Sequence, residues 1–253
     1  MPWCLAVTRV VLPEAKLFKE IIETVGNMAE EVSLDIAPDG FKLRALDVDQ
    51  SSLLVVSFPP EMFLEYKVEE LTRIGVSVNN VKKVLKYIKK GENLVIELEG
   101  DYVKFTIGEG GVATRIFRFR NLEVPTQELS GLELNFTVTA KIMAQALKKV
   151  IEDIEAAGGS TEISASENAL VIKAVGAGKT EARFVTGSLA LISLEVKEPA
   201  RAVYDTAKLV NALNITKVSD LVTLEFASKM PLKAEFVVGV GKVEYLLAPL
   251  EVG

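Results

Sequence analysis

Lysines are the residues whose number and spacing could do chemistry in this sequence. Segment 80–90 reads NVKKVLKYIKK and holds five of them. Segment 141–151 holds Lys141, Lys148 and Lys149, segment 206–217 holds Lys208 and Lys217, and segment 15–22 holds Lys16 and Lys19. Ammonium groups repeated along one face of an element contact phosphate oxygens without reading sequence. Groups suited to bond-making are scarce by comparison. The chain has 0 His and 1 Cys, Cys4. A Ser-His-Asp triad and a Cys-His dyad are therefore excluded, an ordinary zinc site lacks its ligands, and no internal disulfide can form. GAGKT at 176–180 ends like a phosphate-binding P-loop, but that pattern needs glycine where Lys173 stands, and the segment runs from strand to strand with no helix to receive phosphate. GEGG at 108–111 and GVGK at 239–242 read as turns in the same way. The carboxylate pairs Asp47/Asp49 and Glu152/Asp153 have no histidine or second ligand cluster beside them. No catalytic residue, metal site or cofactor is expected.

The lysines need elements that hold them apart from the apolar core. On a helical wheel, Phe18, Ile21, Ile22 and Val25 form the buried stripe of a helix near 14–27, with Lys16 opposite and Lys19 to the side. A second helix near 80–90 buries Val81, Val84, Leu85 and Ile88. Lys82, Lys83, Lys86, Lys89 and Lys90 cover its other side, with Tyr87 near the core side. A third, near 140–155, buries Met143, Ala146, Leu147, Val150 and Ile154 and exposes Lys141, Lys148 and Lys149. A fourth, near 206–214, buries Leu209 and Leu213 and exposes Lys208, with Lys217 beyond its end. Asn79 or Asn80, and Asp205, are the expected helix caps.

These helices recur because the chain repeats itself. Shifted by 129 residues, SLDIAPDGFKLRAL (33–46) falls on EISASENALVIKAV (162–175), and LFKEII (17–22) on ALKKVI (146–151). A shift of 126 brings VSVNNVKKV (76–84) onto AVYDTAKLV (202–210). Strands with period-two alternation, such as Phe41–Leu46 and Leu94–Leu98, follow each helix. The fold class is α+β: two duplicated domains at 1–120 and 134–253, each with antiparallel sheets and two helices on one face. NLEVPTQELSGLE (121–133) is the connector between them.

Charge is segregated in the same pattern. The net charge is −6, yet the four lysine-bearing segments sum to +11, which leaves −17 on the remainder. A protein that repels DNA in general and attracts it to one face would be built this way; lysines on a single exposed helix face usually serve only solvation, and four equivalent helices weaken that reading. No apolar run approaches the roughly 20 residues a bilayer requires, and the N-terminus has no leader pattern, so a cytoplasmic protein without membrane contact is expected.

Several segments resemble those of a known family. DGFKLRALDVDQSSL (39–53), VKKVLKYIKK (81–90), NLEVPTQELSG (121–131), SLEVKEPARAVYD (193–205), SKMPLKAEF (228–236) and YLLAPLE (245–251) resemble archaeal and eukaryotic DNA sliding clamps of the proliferating cell nuclear antigen family, along nearly the whole chain. The resemblance implies a ring-shaped trimer of self or paralogous subunits around duplex DNA, with the helices lining the hole. The DNA-facing cations would be Lys16, Lys19, Lys82, Lys83, Lys86, Lys141, Lys148, Lys149, Lys208 and Lys217. It implies a pocket for short peptide motifs built from Leu46, Gln50, Ser51, Leu129, Leu132, Pro231, Leu246, Ala248 and Pro249. Through that pocket DNA polymerase, clamp loader, flap endonuclease and DNA ligase would be tethered. Gln50 and Ser51 stand where the family more often has a histidine or arginine and a valine. Ring closure would pair ATRIFRFRN (113–121) with TEARFVTGS (180–188). VTGSLALIS (185–193) lacks the acidic loop common in relatives. Competing readings are one subunit of a heterotrimeric or checkpoint-type clamp, a binding protein that merely shares the duplicated fold, and an enzyme.

Overall fold

The structure, a computed structural model, describes residues 8–125, 134–176 and 179–251. They divide into two units. One gathers residues of 8–48, 54–125 and 239–242, and the other those of 49–53, 134–238 and 243–251.

In the first unit, β1 (Arg9–Leu12) leads into α1 (Ala15–Val25). Phe18, Ile21, Ile22 and Val25 are at most 2% exposed, so the helix buries the stripe its period defines. The hairpin β2 (Glu31–Ala37) and β3 (Gly40–Leu46) follows, then β4 (Ser52–Phe58), β5 (Glu65–Lys67) and β6 (Thr72–Ser77). After α2 (Val78–Leu85) come β7 (Leu94–Glu99), β8 (Tyr102–Ile107) and β9 (Arg115–Arg120). The strands lie in the orders β5-β1-β7-β8-β9 and β4-β3-β2-β6. Phe41 anchors the core, stacked on Phe58 at 6.0 Å and edge-on to Phe18 at 6.2 Å. Burying one such ring is worth roughly 1.5–3 kcal/mol.

The second unit repeats this plan. β10 (Val138–Met143) runs into α3 (Ala144–Ala157). The strands β11 (Ser160–Ser166), β12 (Ala169–Val175), β13 (Glu181–Val185), β14 (Leu191–Val196) and β15 (Ala200–Tyr204) follow. α4 (Thr206–Ala212) continues as a 3-10 turn, Leu213–Lys217, and β16 (Leu221–Phe226), β17 (Leu232–Val238) and β18 (Gly241–Leu247) complete it. The orders are β14-β10-β16-β17-β18 and β13-β12-β11-β15. Leu147 and Ile151 of α3 and Leu209 and Leu213 at α4 pack over Leu224 and Leu232 of the sheet.

The 129-residue shift holds element by element. α1 and α3 begin at 15 and 144, β2 and β11 at 31 and 160, β3 and β12 at 40 and 169. For α2 and α4, which begin at 78 and 206, the shift is 128 and not 126. Matching lysines and apolar residues by type set the helices two residues out of phase. Helix entry sets the true phase, at Ser77 and Asp205.

Three other expectations need correction. Asn79 and Asn80 lie inside α2, whose N-cap is Ser77 without a side-chain bond, whereas Asp205 does cap α4 by accepting from the Lys208 N–H at 3.0 Å. The second helix stops at Leu85, so Ile88, Lys89 and Lys90 lie beyond it. Lysines at 82, 83, 86, 89 and 90 crowd like charges at i,i+3 and i,i+4, and the Glu92 carboxylate accepts the Lys89 N–H at 2.6 Å. Lys141 is on β10 and not on a helix, paired across to Ser193 and Thr223, and Met143 is the N-cap of α3 with 39% exposure. Ladders on both sides of 138–143 outweigh its helical period. GAGKT joins antiparallel β12 to β13, strand to strand, with 177–178 outside the described residues.

Candidate nucleic-acid interface

α1 and α2 present their cations from one layer of the first unit. The Gly26 position that ends α1 leaves room for the Lys82 side chain, and Lys82 pairs with Glu23 at 2.9 Å. Lys16, Lys83 and Lys86 are exposed, and Lys19 is half-buried. Lys86 Nζ stands 5.3 Å from the ring centre of Tyr87. Tyr87 itself is 67% exposed, contrary to the core-side position its wheel angle suggests, because the helix has ended before it. Lys89 and Lys90 add exposed charge on the turn that follows.

The second unit holds its cations more tightly. Lys148 lies 3.7 Å from Glu152, one turn along α3, and Lys149 is exposed. Lys208 reaches both oxygens of Asp49 at 2.6 Å and contacts the Ser51 hydroxyl, so this ammonium is already bound to a carboxylate. Lys217 is exposed at the end of the 3-10 turn, and Lys141 is half-buried on its strand. The expected cations thus fall into two sets, one on each unit. Lys16, Lys83, Lys86, Lys149 and Lys217 present the most accessible ammonium groups, while Lys82, Lys148 and Lys208 have carboxylate neighbours. Such groups suit phosphate oxygens, and Tyr87 is an exposed ring beside them. Among the described residues no cluster of side chains could hold a metal ion, and no helix is long and apolar enough to cross a membrane.

A cleft of about 700 Å³ opens beside the C-terminal segment, lined by Arg201, Ala202, Val203, Lys229, Pro249, Leu250 and Glu251. Backbone bonds fix its walls. The Ala248 N–H donates to Ser51 O at 2.8 Å, the Leu250 N–H to Val203 O at 2.7 Å, and the buried Tyr204 hydroxyl to Met230 O at 3.0 Å. Burial raises the Tyr204 pKa, which keeps that hydroxyl a neutral donor. Of the expected pocket residues, Pro249 lines this cleft. Ser51 and Ala248 hold its frame, and Gln50 sits beside Ser51 in the left-handed region at φ 58. Pro231 and Leu246 are half-buried in the same unit but do not line it, Leu46 belongs to the other unit, and Leu129 and Leu132 lie outside the described residues. Arg201, Val203 and Lys229 were missed. The alternation of ARAVY shows a strand, but which end of it meets the tail is set by the Leu250–Val203 bond, a pairing of residues 47 apart.

Residues 8–115 match the family model described as proliferating cell nuclear antigen, N-terminal domain. The chain is 34% identical over 242 residues to DNA polymerase sliding clamp 1 of Aeropyrum pernix, covering 93% of this chain and 97% of that protein. It is 32% identical to the DNA polymerase sliding clamp of Thermofilum pendens, covering 94% and 97%. Among solved structures, it superposes with TM-score 0.89 and 28% identity on a chain of the PCNA2-PCNA3 complex from Sulfolobus tokodaii, covering 95% of this chain and 98% of that one. The PCNA of Thermococcus kodakaraensis gives TM-score 0.89 at 25% identity, covering 96% and 99%.

Proposed function

The chain belongs to the proliferating cell nuclear antigen family of DNA polymerase sliding clamps, and from that premise we propose that it is a subunit of a closed trimeric ring that encircles duplex DNA and tethers replication and repair proteins to it. The observation that carries this reading is the segregation of charge: +11 on the lysine-bearing segments against −17 elsewhere. Lys16, Lys83, Lys86, Lys149 and Lys217, with Lys19, Lys82, Lys141, Lys148 and Lys208 behind them, face phosphates. Their contacts are individually weak and carry no base information, so the ring slides while its closure keeps it on the duplex. The chain acts by tethering and not by catalysis, and it needs no cofactor.

Residues 1–120 and 134–253 are the two clamp domains and 121–133 the connector. The cleft beside the tail receives a short apolar turn of a client peptide, and exposed Lys229 in its lining favours clients with acidic flanks. DNA polymerase, clamp loader, flap endonuclease and DNA ligase are clients of this kind, and the setting is the cytoplasm, on the nucleoid.

Retention on DNA of different topology tests the reading. Protein assembled at high concentration on a nicked circular plasmid is separated from free protein by gel filtration, and the plasmid is then cut once. Bound protein is expected to stay on circles and to leave once they are linear. Equal retention on circles and linear DNA would remove the clamp reading.

A further inference from the structure

Tyr87 is 67% exposed, more than any other aromatic side chain among the described residues, Tyr102 being next at 51%. A lone apolar group in water is ordinary on protein surfaces, but this ring stands among unpaired charges. Lys83, Lys86, Lys89 and Lys90 are exposed before and after it, and none has an ion pair among the described residues. Lys86 Nζ lies 5.3 Å from the ring centre, so one nucleotide can meet the ring with its base and the ammonium with its phosphate. The backbone under the ring is held. The Ile88 N–H donates to Leu85 O at 3.4 Å, one Arg115 nitrogen donates to Tyr87 O at 3.0 Å, and another meets the Glu92 carboxylate at 2.6 Å. Glu92 is thereby occupied by Arg115 and by the Lys89 N–H, and leaves the lysines uncancelled.

The repeated plan does not require this patch. The shift of 128 that relates α2 to α4 sets Tyr87 on Ile215, which is 0% exposed. It sets Lys83 on Asn211 and Lys86 on Asn214, and of these lysines only Lys89 meets another, Lys217. Phosphate contact alone accounts for lysines in both units, but not for a ring turned into water in one of them. A duplex stacks its bases on one another and offers a protein their edges and its phosphates. An unpaired strand offers base faces as well, and aromatic rings flanked by cations take them whatever the sequence. We infer that Tyr87, with Lys83, Lys86, Lys89 and Lys90, is a binding site for unpaired DNA, in which the ring stacks on a base and the ammonium groups hold the neighbouring phosphates. The inference rests on the clamp reading and adds a second state of DNA, the single strand that runs on from a duplex end or gap, to the duplex that the ring encircles.

Affinity for single strands tests it. A dye-labelled oligothymidine of about ten nucleotides and a blunt, fully paired duplex are each titrated with the full chain in dilute salt and followed by fluorescence anisotropy. Tyr87→Ala is expected to weaken binding to the oligothymidine by about fivefold or more, the loss of one stacked base, and to leave binding to the duplex unchanged. Tyr87→Phe keeps the ring and should bind the oligothymidine as the parent does. Lys83→Ala with Lys86→Ala should weaken both. A fluorescent adenine analogue placed in the single strand should be quenched on binding the parent and not on binding Tyr87→Ala, a change that a merely structural role for the ring would not produce. Equal affinity of parent and Tyr87→Ala for the oligothymidine would overturn the inference, as would an equal loss on the duplex. Retention on nicked circles separates this from the clamp reading. Protein that stays on circles but shows no Tyr87-dependent binding of single strands keeps the clamp and loses the stacking site. Protein that leaves circles as readily as linear DNA yet binds single strands through Tyr87 does the reverse.

Discussion

A methyl group on Gly75 would sit 2.0 Å from the carbonyl oxygen of Leu122 and 3.0 Å from Val124 Cγ2. The same glycine accepts the Leu122 N–H at 3.0 Å and donates its own N–H to the Asn121 side chain at 2.8 Å, so it ties the start of the 121–133 segment to β6. Gly75→Ala is expected to cost roughly 1–3 kcal/mol, the ordinary range for overpacking a site whose neighbour is backbone and cannot rotate away. Urea unfolding measures it, and a loss below a few tenths would mean the 121–124 segment yields freely. Nothing at the level of residue type singles out this glycine from the other 16 in the sequence. Lys208 has the same limitation. The sequence shows a lysine on an exposed helix face, and its partner Asp49 is 159 residues away. Asp205 could be read in advance because capping is local: the residue and the amide it holds are three apart.

At the scale of the element, pairing over short distances was legible and pairing over long ones was not. The hairpins β2–β3 and β11–β12 could be placed because their alternation and turns lie within 16 residues and recur 129 residues on. The local period of Lys141 allows a helix, while the ladders to β14 and β16 that make 138–143 a strand join residues 49 and more apart in the chain. The end of α2 depends on the fold around it in the same way. The Lys89 backbone N–H, followed by Arg115, holds the Glu92 carboxylate below its ordinary pKa, and Lys104 and then Arg118 do so for Glu99. Both folded values lie under the ordinary glutamate value of 4.5. The stability these carboxylates contribute is therefore complete above that value and is lost as pH falls through the depressed one. Glu92→Gln and Glu99→Gln should lower the melting temperature at pH 7, and parent and variants should converge as pH falls through the depressed values. A difference that does not shrink as pH falls below the ordinary carboxylate range would show that the lost contacts were not ionic.

For the whole molecule, binding strength and retention should answer to different physics. Each lysine that neutralises a phosphate releases condensed counterions, so on linear duplex DNA the logarithm of affinity falls with the logarithm of salt by about 0.9 per contact. Lys83→Ala with Lys86→Ala removes two exposed cations that have no carboxylate neighbour among the described residues. The slope should drop by about 2, roughly uniformly across DNA sequences. Lys208→Ala should change it less, because that ammonium is already bound to Asp49. A closed ring on a circle has no end to leave by, so added salt weakens its phosphate contacts without offering an exit. Its lifetime on nicked circles in 0.5 M salt should be the same for parent and double variant, even though their affinities for linear DNA differ. Salt-titrated binding on linear fragments, paired with dissociation rates from circles, measures both quantities. A double variant that leaves circles faster in proportion to its lost affinity would show that the lysines, and not closure, keep the protein on DNA.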